Sequence, residues 1–244
     1  MIEIKNRFSG RTILKIDGSI KKISADLSYA DLSYVDLGYA DLSYADLNNA
    51  DLNNTHLSYT DLNNADLNNA DLSYADLRYA DLSYADLNNV NLSYAHLSYA
   101  DLNNADLNNA DLSYADLNNA HLNNVNLNNV NLSYAHLNNA DLNNADLNNA
   151  DLSYVDLSYA DLNNAHLNNV KIPPIGDHQF ISQILLNNST MEQQKDFSCR
   201  IKMERNRCWK YFIALAKEEK VMEWAKKILC KWNEFKIKIE SLDN

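Results

Sequence analysis

A mainly β solenoid shaft, closed by a β-hairpin at its N-terminal end and by α-helices at its C-terminal end, is the fold class the sequence predicts. Three observations carry that prediction. A five-residue unit, Ala-Asp-Leu followed by Ser-Tyr or Asn-Asn, repeats from Ala25 to Asn169 as 29 units without an insertion. Substitutions inside the tract recur at a spacing of 20, so four units behave as one block. Composition changes abruptly on either side of the tract, and both flanks read as elements of their own.

At the N-terminus, residues 1–24 form the first unit of organisation. Ile2-Glu3-Ile4-Lys5 and Thr12-Ile13-Leu14-Lys15-Ile16 are alternating or β-branched runs around Ser9-Gly10, the pattern of a β-hairpin. Asp17-Gly18 supplies a second turn before Ile20 and Ile23 approach the repeats. A hairpin here is expected to cover the first unpaired edge of the solenoid, which would otherwise invite end-to-end assembly.

The repeat tract occupies 25–172. A period of five fits neither an α-helix nor a straight strand, because both would scatter the leucines over several faces. It fits a chain that turns every five residues and keeps Ala and Leu facing one interior. Leu holds the third position from Leu27 to Leu167, and small or β-branched residues hold the first, with Val35, Thr55, Thr60, Val90, Val125, Val130 and Val155 replacing Ala. At spacing 20, Tyr74, Tyr94, Tyr114, Tyr134 and Tyr154 form one column, extended to Tyr34 across Asn54. A second column holds Tyr39, Tyr59, Tyr79 and Tyr99, then Asn119, Asn139 and Tyr159. A third is all amide, from Asn49 to Asn169. Asn at the last two positions of a unit suits turn and left-handed backbone, and stacked Asn can form side-chain ladders.

One column at the acidic position alternates: Asp36, His56, Asp76, His96, Asp116, His136, Asp156. Stacked coils would lie at strand spacing, about 4.8 Å, where like charges repel and Asp beside His can pair. Charge relief is the expected role; a pH-sensitive or metal-binding strip is the alternative.

Residues 173–244 follow Pro173-Pro174 and turn to mixed charge, aromatics and helical periodicity. Asp177 and Thr190 are candidate helix caps, with Phe180, Ile181, Ile184 and Leu185 on one apolar face. Val221, Trp224, Ile228, Trp232, Phe235 and Ile239 step by three or four, so the last helix is amphipathic. Its stripe is read as the core of a small helical cap, with a self-association surface as the other reading.

The tract closely resembles the pentapeptide-repeat family, whose motif is A-(D/N)-L-x-x. The resemblance implies a right-handed quadrilateral β-helix with four units per square coil. It also places Leu and the small residue two before it inside, and the other three positions in solvent.

Function is read from charge and from what is missing. The chain of 244 residues has net charge −12, divided between −20 on the 29 units from Ala25 to Asn169, with Arg78 their one basic residue, and +8 on the rest of the chain. About seven coils at strand spacing carry 21 carboxylates, one per ~1.7 Å, close to the axial charge density of duplex DNA. The family resemblance implies that some members exploit this likeness to bind DNA gyrase, as in quinolone resistance or topoisomerase inhibition. Those members are typically dimeric rods, so the resemblance admits a homodimer. The acidic shaft itself opposes direct nucleic-acid binding.

Fourteen of the 15 tyrosines lie in the tract, each closing a unit and therefore expected outside. Rigid, amphipathic Tyr columns can stack on one another or bind a protein. No nucleophile elbow, phosphate loop, zinc-protease motif or calcium repeat is present, so neither an enzyme nor a cofactor is expected. The tract histidines, His56, His96, His121, His136 and His166, occupy a repeated scaffold position and imply no pocket. Cys199, Cys208 and Cys230 lack metal-ligand spacing, no apolar run is long enough for a membrane span, and Met1–Lys5 lacks the apolar core of a signal peptide. The expectation is a cytoplasmic, non-enzymatic scaffold that presents Tyr and Asp/Asn ladders to an unknown protein partner; the alternative is a DNA mimic directed at a DNA-binding enzyme such as gyrase.

Overall fold

The computed structural model describes residues 2–6, 12–16 and 26–171. Strands β1 (Ile2–Asn6) and β2 (Thr12–Ile16) form the expected antiparallel hairpin, with Ile2 opposite Ile16 and Ile4 opposite Leu14. The other edge of β1 pairs with β3 (Ala30–Asp31), Lys5 opposite Asp31 and Asn6 opposite Ala30. At Ala30–Asp31 the hairpin therefore engages the outer edge of the first coil. The helical cap expected over 173–244, and the second turn at Asp17-Gly18, lie outside the described residues.

Within the tract the spacing of 20 is the coil. Parallel bridges join each second-position residue to the one 20 further on, from Asp26 and Asp46 to Asp151 and Lys171. The backbone account of one unit shows why five residues suffice. The Leu N–H donates to the second-position carbonyl of the next coil, as from Leu107 to Asn126 at 2.8 Å. The second-position N–H donates to the preceding coil, Asp106 to Ala85 at 3.0 Å. The fifth-position N–H donates forward, Tyr59 to Arg78 at 3.0 Å, and the first-position N–H closes a turn, Ala110 to Leu107 at 3.0 Å. One donor per unit remains, at position four.

Those turns impose a left-handed backbone on the fifth residue. Every one, from Tyr29 to Asn169, has φ between 55° and 62°, with the positive value confined to the third residue of the turn as in type II geometry. Asn tolerates that region; Tyr does so at a cost of about 1 kcal/mol or more. The interior is a continuous column of Leu and small residues, with Leu107 at 0% exposure. The two threonines that replace Ala stay buried because their hydroxyls donate inward: Thr55 Oγ1 to the Leu32 carbonyl at 2.7 Å, Thr60 Oγ1 to Leu37 at 2.9 Å.

Candidate interaction face

The second-position carboxylates have a structural task. In all 24 units where that residue is Asp or Asn, its Oδ1 accepts the position-four N–H two residues on, completing the backbone account. Asp106 and the Asn108 N–H, 3.1 Å apart, are representative. In none of the five His units does the imidazole accept it. In three of the five His units the Asn one coil back substitutes: Asn103 Oδ1 takes the Asn123 N–H at 2.8 Å, Asn118 the Asn138 N–H at 2.9 Å, and Asn148 the Asn168 N–H at 2.9 Å. In the other two, Ser58 and Ser98, the preceding residues are Gly38 and Arg78, which carry no acceptor.

Asp columns are relieved where another residue interrupts them. Asn91, Asn126 and Asn131 donate Nδ2 to Asp71, Asp106 and Asp111 of the preceding coil at 3.0, 2.8 and 3.1 Å. Lys171 Nζ reaches Asp151 at 2.8 Å. In the alternating column, Asp36, His56, Asp76, His96, Asp116, His136 and Asp156 are bridged in that order. Only its N-terminal part is paired among the described residues: His56 Nδ1 lies 2.7 Å from Asp36 Oδ1, and Arg78 grips Asp76 with Nε and Nη2 at 2.8 and 2.7 Å. Among the described residues His96 and His136 make no ion pair, so they dilute the column's charge without bonding to it. The Gly38 N–H, then His56, hold the Asp36 carboxyl below the usual carboxylate range, and Arg78 does the same for Asp76. Among the described residues no group of three or more His, Cys, Asp or Glu could hold a metal ion.

Both tyrosine columns are stacks. Tyr39, Tyr59, Tyr79 and Tyr99 lie with ring centroids 4.9 Å apart and planes within 5°. Tyr74, Tyr94, Tyr114, Tyr134 and Tyr154 form a five-ring stack at 4.7–4.9 Å. Even Tyr114, enclosed by two neighbours, is 45% exposed, so each stack presents a rigid row of ring edges and hydroxyls. The stacks occupy adjacent corners of the coil and overlap where Tyr74 precedes Tyr79 and Tyr94 precedes Tyr99. Amide ladders also occur: Asn109 donates to Asn89 and Asn169 to Asn149, both at 3.3 Å. Residues that sequence reasoning passed over are Gly38, Ser58 and the position-four Asn103, Asn118 and Asn148. A signal existed for the first: the tract's single Gly and single Arg stand in one column, 40 residues apart, on either side of Ser58.

With this geometry in hand, comparison with known families decides the class. A pentapeptide-repeat model matches residues 23–58, 36–73, 56–93 and 70–109, and a model of a pentapeptide repeat region matches 95–173. The chain belongs to the pentapeptide-repeat family. Proteins of this family form right-handed β-helices and are generally structural or interaction proteins. A solved structure of trypsin-treated QnrB1, a plasmid-mediated fluoroquinolone resistance protein, is 20% identical over 65% of this chain and 84% of its own, with TM-score 0.52. That likeness shows the fold. HetL, involved in heterocyst differentiation regulation in the cyanobacterium Nostoc sp. strain PCC 7120, is 31% identical over 63% of this chain and 90% of its own, with TM-score 0.30. Rfr23 from the cyanobacterium Cyanothece 51142 is 37% identical over 40% of this pentapeptide-repeat chain and 63% of its own, with TM-score 0.35. No curated protein sequence matches. Among the described residues, no helix is long and apolar enough to cross a membrane.

Proposed function

We infer that this pentapeptide-repeat shaft is an interaction scaffold that docks a protein partner along its two tyrosine stacks. The observation that carries the reading is the stacking itself. Each enclosed ring is held by two neighbours in a backbone conformation fixed by its turn, so its ordering cost is met before any partner arrives. The test exploits the repeat's own alternative. Asn occupies the same left-handed position in 15 units, so replacing Tyr74, Tyr94, Tyr114, Tyr134 and Tyr154 by Asn keeps the turns and removes the face. Capture of proteins from native lysate by parent and variant, each verified as folded, should differ in at least one stoichiometric partner. Identical captures would remove this reading.

The axial density of carboxylates favours a second reading, a DNA mimic acting on a DNA-binding enzyme such as gyrase. Against it, Asp columns occupy all four corners of the coil and form no single stripe. A supercoiling assay discriminates: inhibition or protection of gyrase at stoichiometric excess supports mimicry, and no effect removes it.

A further inference from the structure

The segment His-Leu-Ser-Tyr occurs twice in the tract, at His56–Tyr59 and His96–Tyr99, and the structure treats the two copies differently. At the first, Asp36 Oδ1 lies 2.7 Å from His56 Nδ1, and His56 Nε2 lies 2.6 Å from Ser58 Oγ. With the proton on Nδ1, facing the carboxylate, the neutral imidazole offers Nε2 to the Ser58 hydroxyl proton, and the Asp76 carboxylate lies beyond it, 3.9 Å from Nε2. Asp36 is itself oriented by the Gly38 N–H, 3.1 Å from the same Oδ1. At the second copy nothing of the kind forms. Ser98 Oγ donates instead to Asp116 Oδ2 at 2.7 Å, and Asp76, which would orient His96, is gripped by Arg78.

The difference lies one coil back. Gly38 precedes Ser58, and Arg78 precedes Ser98. A Cβ at residue 38 would stand 3.1 Å from His56 Cε1 and 3.3 Å from both His56 Nδ1 and Asp36 Oδ1, tighter than ordinary contacts allow. The tract's one glycine therefore makes the room in which the imidazole reaches the carboxylate. Gly38 also removes the side-chain acceptor that serves Asn123, Asn138 and Asn168, so the Ser58 N–H has no hydrogen-bond acceptor among the described residues. Hydroxyl, base, orienting carboxylate and a spare amide donor beside the hydroxyl are the parts of an activated serine.

We propose that Ser58 is an activated nucleophile, acylated by small activated esters through the Asp36–His56–Ser58 relay. Ser58 Oγ attacks the ester carbonyl carbon while His56 Nε2 takes the hydroxyl proton, and the Ser58 N–H donates to the oxyanion. The tetrahedral adduct collapses, the carbon–oxygen bond to the leaving alcohol breaks, and that oxygen receives the proton from His56. Water, deprotonated by His56, then releases the acyl group as a carboxylic acid and restores the serine. Ser58 is only 6% exposed, so the acyl group must be slim, on the scale of acetyl. One amide donor in an open, hydrated face stabilises an oxyanion weakly, which restricts the chemistry to esters with good leaving groups and excludes amides.

The experiment treats the full-length protein with p-nitrophenyl acetate and, separately, a fluorophosphonate probe, and locates the adducts by peptide mass spectrometry. Ser58 should label at least about tenfold faster than Ser73 and Ser83, which are equally buried but sit behind Asp units. His56→Asn, Asp36→Asn and Gly38→Ser should each reduce Ser58 labelling about tenfold or more with the melting temperature retained. Asn91 shows that Asn is a native occupant of the second position, so the His56→Asn variant keeps the turn. Arg78→Gly frees Asp76 and recreates the Gly38 environment, and should add labelling at Ser98. The proposal is overturned by parent Ser58 reacting no faster than Ser73, or by undiminished reaction in His56→Asn. A silent Ser98 in Arg78→Gly would overturn the account of what assembles the relay.

Discussion

The substitution of a side chain in one coil for a missing acceptor in the next gives a coupling that can be measured. Asn103→Ala removes the one acceptor of the Asn123 N–H among the described residues, because the imidazole of His121 in the same unit does not accept it. A partly buried donor left unpaired costs about 1–3 kcal/mol, and the intermediate burial of Asn123 places this case at the low end, about 1 kcal/mol. In a His121→Asn background the new amide oxygen should accept that N–H, as Asn126 does for Asn128 at 3.1 Å. Asn103→Ala should then cost under about 0.5 kcal/mol, like an ordinary surface change. The double-mutant coupling is therefore about 0.5–1 kcal/mol, read from urea midpoints at constant slope. A shaft of repeats can lose cooperativity along its length, so hydrogen exchange at the Asn123 amide supplies a local readout. That amide should exchange faster in Asn103→Ala and regain protection in the double variant. Equal cost of Asn103→Ala in both backgrounds, with unchanged protection, would refute the substitution rule.

Leu107→Asp should cost several kcal/mol by burying an unpaired carboxylate, whereas Asn108→Ala should stay within about 0.5 kcal/mol; equal effects would refute the inward register. Tyr114→Asn removes two stacked contacts and should cost about 1–3 kcal/mol relative to Tyr84→Asn, since Tyr84 has the same φ of 60° but stands between Asn64 and Asn104; equal thermal shifts would show that stacking contributes nothing. Replacing His56, His96 and His136 together by Asp should destabilise the shaft in low salt and recover in high salt, while Asn at all three, which supplies acceptors for the Ser58 and Ser98 N–H groups as Asn91 does for Ser93, should be neutral or stabilising. Added zinc should leave the melting temperature of the parent unchanged, and a zinc-dependent rise lost in the Asn variant would establish a metal strip instead. Acid should weaken the fold through Asp36, Asp76 and Asp151, whose folded values are depressed. The unfolded chain protonates first, so their contribution is complete above about pH 4 and lost as pH falls through the lower folded values; melts that stay flat to pH 2 would contradict this.

Most of the shaft was legible because its information is periodic. A five-residue period with Leu invariant specifies which residue is buried, and the recurrence at 20 specifies the coil before any coordinate is seen. Both tyrosine stacks follow from that arithmetic alone. What was not legible depends on where one N–H points. The position-four amide is the donor left over after four others have partners, and its direction along the shaft decides that Asp, Asn or a side chain one coil back must accept it. Asp therefore reads from sequence as surface charge, although its first task is to close the backbone. Left-handed Tyr was equally hidden, since intrinsic preference assigns that backbone to Asn and Gly. The hydroxyl relay was missed because its key residue, Gly38, acts through the side chain it lacks.

A shaft built from identical coils has difficulty fixing a partner's position. A protein that reads one tyrosine stack meets the same surface again after each step of about 4.8 Å, and neighbouring registers are nearly equal in energy. Two stacks of different extent remove that degeneracy. The stack beginning at Tyr74 and the stack ending at Tyr99 are both present in only two consecutive coils, those of Tyr74–Tyr79 and Tyr94–Tyr99. Tyr34–Tyr39 and Tyr154–Tyr159 also fill both corners, but singly, so a partner that spans two successive coils meets four tyrosines only there, and a slip of one coil in either direction exchanges a ring contact for an Asn contact at Asn54 or Asn119. Arg78, the single arginine of the repeat tract, lies in the same window and is itself held by Asp76. If the proposed docking along the tyrosine stacks holds, register is set where the repeats stop agreeing with one another.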